Sequence, residues 1–111
     1  MKMRRNLFIS MFWGGMCSFL FITSGVFANQ ISTNKTVTRI FSEGENRAGF
    51  YTAEGLAECK WGIMYINLSH YAGRAMMSQL LTAKSAGFKV VRIDYAVSSS
   101  GTCSASGLHI Q

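Results

Sequence analysis

Alternation of apolar and polar positions divides the chain after residue 35 into a short series of strands and one helix. Residues 29–35 are polar and predict a loose amino-terminal arm. Residues 36–42 (TVTRIFS) mix β-branched, aromatic and polar side chains in rough alternation, which predicts a strand. The turn sequence Glu43-Gly44-Glu45-Asn46 follows. Residues 48–53 (AGFYTA) predict a second strand, with Phe50 and Tyr51 on opposite faces. Residues 61–67 (WGIMYIN) are apolar on both faces, the pattern of a central strand.

The period then changes to that of a helix over residues 70–86, with Ser69 as its expected cap. Ala72, Ala75, Met76, Gln79, Leu80 and Ala83 recur at helical spacing, and Met77 and Leu81 widen the apolar side. Arg74, Ser78, Thr82 and Ser85 make the polar face, and Gly87 supplies a left-handed stop followed by Phe88. Residues 89–97 predict another strand, with Val91, Ile93, Tyr95 and Val97 on one face and Val90, Arg92, Asp94 and Ala96 on the other. After the hydroxyl-rich turn SSSGT, residues 103–110 form the last strand, with Leu108 and Ile110 on one face. The order β-β-β-α-β-β over residues 36–111 predicts a mainly β fold with one helix, an OB-like, partly open barrel. A sheet merely covered by a helix satisfies the same order. Closure is preferred because it hides the edges of short strands.

The first 28 residues are different material. Lys2, Arg4 and Arg5 precede an apolar run over residues 7–27, which closes on Val26-Phe27-Ala28. A positive start, an apolar middle and a small-x-small end predict a secretory signal removed after Ala28, with no stable membrane insertion afterwards and a secreted or periplasmic product. An uncleaved anchor is the competing reading, opposed by Gly14, Gly15 and Gly25 and by the cleavage pattern. Met16 is too bulky for lipid attachment at Cys17. Export leaves Cys59 and Cys103, for which a single disulfide is expected in an oxidising compartment. Hydrophobic residues at 49% and charged residues at 14% exclude a disordered chain. Beyond residue 28, eight basic residues face five acidic ones and are scattered, so nucleic acid is not the expected partner. Weak attraction to acidic sugars or anionic surfaces is allowed.

Candidate chemistry is sparse. His70, His109 and Asp94 compose a catalytic set on paper only, because no Gly-x-Ser-x-Gly elbow accompanies them. They read instead as a first-turn helix residue, a strand-end residue and the partner of Arg92. No third ligand at suitable spacing makes a metal site, and no glycine-rich phosphate loop is present, so neither metal nor cofactor is expected. Glu43, Glu45, Glu54 and Glu58 accompany turn residues and read as solvated charges. The aromatics offer more. Trp61, Tyr65 and Tyr95 lie in apolar strands and are expected in the core, whereas Tyr51, Tyr71 and the adjacent His70 are the candidates for a ligand surface. Asn34-Lys35-Thr36 and Asn67-Leu68-Ser69 match the glycosylation sequon, whose use depends on the host.

A small exported chain with one expected disulfide, this strand order, and a long helix followed by Val90-Val91-Arg92-Ile93-Asp94-Tyr95 resembles the binding subunits of bacterial AB-type enterotoxins. The stretches Gly49-Phe50-Tyr51-Thr52-Ala53-Glu54-Gly55 and Leu80-Leu81-Thr82-Ala83-Lys84 also resemble small exported bacterial proteins without assigned function. The toxin resemblance covers roughly residues 36–111. The chain departs from that family in having no amino-terminal helix and in the positions its disulfide joins. What the resemblance implies is a non-enzymatic module that binds a carbohydrate or cell-surface ligand, with homo-oligomerisation into a pentameric ring. The alternative expectation is a periplasmic structural or inhibitory protein that binds another protein.

Overall fold

The computed structural model describes residues 29–111; the expected export segment and Cys17 lie outside the described residues. Six strands and one helix follow in the order β1 (Asn29–Ile31), β2 (Val37–Glu43), β3 (Arg47–Thr52), a 3-10 turn (Lys60–Gly62), β4 (Met64–Asn67), α1 (Tyr71–Ala86), β5 (Val90–Val97) and β6 (Cys103–Ile110). They make one sheet ordered β1-β5-β6-β4-β3-β2, antiparallel throughout except for the β4–β6 pair. Among the described residues the architecture is mainly β with a single helix, as the periodicity predicts, and the added strand β1 makes the helix follow the fourth strand and not the third.

Three local expectations are corrected. The supposed loose arm contributes β1, whose residues 29–31 pair with residues 95–93 of β5. Trp61 lies outside the strand, in the 3-10 turn. The helix begins at Tyr71 with His70 at its N-cap, and the Ser69 hydroxyl instead donates to Asn67 Oδ1 at 2.6 Å. Asn67 Oδ1 also accepts from the Ser69 backbone N–H at 2.9 Å, so a local Asx turn takes the hydroxyl that would have capped the helix.

The sheet is strongly curled, and the chain itself requires it. Strands β1 and β2 occupy opposite ends of the sheet. A flat sheet of this width would separate them by about 24 Å, whereas the chain from Ile31 to Val37 reaches about 20 Å when extended. Lys35 crosses the gap, exchanging backbone hydrogen bonds with Val90 at 2.8 and 2.9 Å. The sheet is nevertheless not closed into a barrel. Asn29–Ile31 already occupies the β5 edge on which β2 would have to pair, and the β2–β3 register shifts between Val37 and Arg39.

The inner face of the curl and α1 enclose the core. Phe50, Met64, Ile66, Leu80, Val90, Ile93 and Cys103 are all at most 1% exposed there, joined by Leu56 and Met76. Helix α1 buries Gly73, Met76, Leu80 and Ala83, a narrower stripe than the sequence suggests, with Leu81 left 52% exposed. Gly73 sits where α1 crosses the end of β4, and a methyl there would collide with the Asn67 carbonyl. The Cys59–Cys103 disulfide forms as expected, tying the loop before the 3-10 turn to the start of β6. Closing its 44-residue separation stabilises by roughly 4 kcal/mol through the unfolded chain.

Candidate functional site

Helix α1 covers the inner face, and among the described residues no element packs on the outer face of the sheet. Cross-strand register sets what lies there. Arg39 pairs with Tyr51, Phe41 with Gly49, and Gly49 in turn with Tyr65, so these side chains share one surface. Phe41 lies 5.9 Å from both the Tyr51 and Tyr65 ring centroids, edge-on to Tyr65. Gly49 makes this cluster possible: a Cβ there would stand 2.7 Å from Phe41 Cζ and 2.8 Å from the Met64 carbonyl. Two arginines seat on the rings, Arg39 with its guanidinium carbon 4.9 Å from the Tyr51 centroid and Arg47 4.3 Å from that of Tyr65.

Beside this cluster the sheet opens into a groove of about 490 Å³. It lies over the short parallel pairing of β4 with β6, in which Met64 and Tyr65 are partnered by Cys103 and Ser104. Arg47, Tyr65, Asn46, Asn67, Thr102 and Ser104 line it. The lining offers two amides, two hydroxyls, an aromatic ring and one cation, donors and acceptors together with an apolar surface.

The residues singled out from the sequence are split by the fold. Tyr51 stands on the outer face, half-buried among the aromatics. His70 and Tyr71 are exposed at the start of α1, with the Arg74 guanidinium 4.8 Å from the Tyr71 centroid. His70 lines a separate, smaller depression with Asn67, Gly73 and Met76. Sequence reasoning placed Tyr65 in the core. Only 9% of it is exposed, yet what covers it is Phe41 and Arg47 on the outer face. Tyr95, at 5%, is in the core as expected. Trp61 is not: it is 70% exposed, held at φ 60°, with Lys60 Nζ 4.6 Å from its ring. The alternation of Arg39, Phe41 and Glu43 opposite Arg47, Gly49 and Tyr51 was the available signal for the outer cluster. The groove had none, since it depends on bringing the distant segments β4 and β6 side by side.

The catalytic set does not assemble. Asp94 accepts from Arg92 Nε at 3.1 Å, and neither His70 nor His109 makes a side-chain hydrogen bond among the described residues. No three His, Cys, Asp or Glu side chains gather at metal-binding distance among those residues. Nor is any of their helices long and apolar enough to cross a membrane. Glu54 is more than a solvated loop charge. It accepts from the Thr36 backbone N–H at 2.6 Å and from the Thr36 hydroxyl at 2.8 Å, which hold its carboxyl below the usual carboxylate range. Lys89 Nζ donates to the same hydroxyl at 2.8 Å, so the network joins the start of β2, the loop after β3 and the start of β5. No protein-family model, curated protein or solved structure matches the chain.

Proposed function

We propose that this chain is an exported, non-enzymatic binding module whose outer sheet face recognises carbohydrate, as the resemblance to toxin-binding subunits implies. One observation carries the reading: an aromatic cluster of Phe41, Tyr51 and Tyr65 adjoins a groove edged by Asn46, Asn67, Thr102 and Ser104. Sugars present apolar C–H faces together with hydroxyls that both donate and accept, and amide, hydroxyl and ring groups answer both needs. A glycan array followed by calorimetry tests the reading. Binding weakened at least several-fold by Tyr51→Ala and by Asn67→Ala supports it. No binding of any glycan at millimolar concentration removes it.

A second reading, contact with another protein, is favoured by Trp61. A rigid exposed indole is a common anchor of protein interfaces, and here the turn is stapled beside Cys59 and tied by the Lys60 N–H to the Gly101 carbonyl at 2.9 Å. A pull-down that returns one stoichiometric partner from wild type and loses it in Trp61→Ala would select this reading.

A further inference from the structure

We propose that the outer face of β2 and β3 takes a linear saccharide bearing several carboxylates, with Arg39 and Arg47 each receiving one. The inference rests on the carbohydrate reading and specifies its ligand class. Its first ground is the state of the two arginines. Each guanidinium is held over a tyrosine ring, which restrains the side chain before any ligand arrives. Arg39 has no carboxylate or hydrogen-bond acceptor among the described residues. Arg47 has Glu43 at 3.8 Å, but both side chains are more than half exposed and the pair is i,i+4 on the surface. Such a pair contributes little and yields readily to a better acceptor. A guanidinium carries its donors in a planar fork that matches a carboxylate bidentately.

The second ground is charge balance. Around the aromatic cluster the outward positions of β2, β3 and β4 carry Arg39 and Arg47 against Glu43 alone. The other acid on the outer face, Asp94, is two strands away from β4 and already engaged by Arg92. The third ground is spacing. Arg39 lies opposite Tyr51, four residues along β3 from Arg47, a separation of about 13 Å. One sugar ring cannot meet both, whereas an oligomer can lie across Phe41 between them. The occupant is therefore an extended polyanion, not a single acidic monosaccharide.

The test is calorimetry of the full protein with a short oligouronate and with its methyl-esterified counterpart, equal in length and backbone. The acidic form is expected to bind tighter by roughly tenfold for each arginine engaged, the scale of a charge-assisted hydrogen bond. That advantage should shrink as salt rises. Arg39→Gln and Arg47→Gln should each reduce the acid-to-ester affinity ratio by roughly tenfold, and the double variant should bring it near one. A uronate monomer should bind wild type and either single arginine variant with nearly equal affinity, because one ring meets only one arginine. Equal affinity for acid and ester overturns the inference and leaves the carbohydrate reading standing, as does a ratio that responds to one arginine only. Binding of neither form overturns the inference, and only silence of every glycan on the array overturns the carbohydrate reading with it. Near-wild-type thermal unfolding of the exposed arginine variants establishes that a lost ratio is not lost fold.

Discussion

Thr52 ends β3 with its side chain turned into the core, where its Oγ1 has no hydrogen-bond partner among the described residues. A buried hydroxyl without a partner costs about 1 to 3 kcal/mol in desolvation. Thr52→Val keeps the shape and removes that cost, so it should stabilise by about 1 kcal/mol in urea unfolding; a loss of stability would mean that the hydroxyl is satisfied. Trp61 shows the opposite imbalance. Its left-handed backbone costs about 1 kcal/mol for a residue with a Cβ, and its 70% exposure returns little burial in compensation. At this scale the sequence was ambiguous for a plain reason. An apolar residue next to a strand pattern reads as part of it, and only the chain's path shows that Trp61 belongs to a turn.

At the scale of elements, α1 illustrates how contact outweighs propensity. Gly73→Ala would favour the helix by about 1 kcal/mol on intrinsic grounds. The added methyl would strike the Asn67 carbonyl, a rigid backbone atom, and overpacking of that kind costs about 1 to 3 kcal/mol. Because the obstacle is backbone, the upper end of that range applies and the net expectation is destabilisation of about 2 kcal/mol, read as a lower thermal midpoint; an unchanged or raised midpoint would show that α1 can move off β4. Strand β5 makes a related point. Simple alternation put Val91 with Ile93 and Tyr95, but it is Val90 that is buried with them. The β5–β6 register shifts between Val90 and Arg92, and a bulge there turns the alternation by one residue. The existence of the strand was legible, its inward face only partly, because a bulge is set by the partner strand.

For the whole molecule, the disulfide and two titrating groups set the conditions of stability. A domain of this size has about 5 to 10 kcal/mol in hand, so losing roughly 4 kcal/mol in the Cys59→Ser/Cys103→Ser variant should lower its urea midpoint by a large fraction. A small change would mean that the unfolded chain is already compact. The pH limits follow from direction. Burial, with the nearby Glu58 charge, pushes the Tyr95 hydroxyl up, so its contribution is complete below about pH 10 and is lost as pH rises through its folded value. Glu54 is held down by Thr36, so its contribution is complete above about pH 4.5 and is lost as pH falls through its folded value. The urea midpoint measured against pH should form a plateau between these limits. Tyr95→Phe should flatten its alkaline side and Glu54→Gln its acid side; an unaltered profile in either variant would reject that assignment.

Local pattern along the chain was sufficient for the number of long strands, the position of the helix and its Gly87 stop, and the pairing of Cys59 with Cys103. Those features depend on periodicity, on a single residue's conformational freedom, or, for the cysteines, on the expectation that Cys17 belongs to the export segment. Three others were decided in three dimensions: the recruitment of Asn29–Ile31 onto β5, the curl that stops short of a barrel, and the separation of Tyr51 from His70 and Tyr71. The outer aromatic and arginine surface belongs with them. Its residues alternate visibly in sequence, but whether a face is covered depends on how many layers pack on the sheet, and one helix can cover only one side.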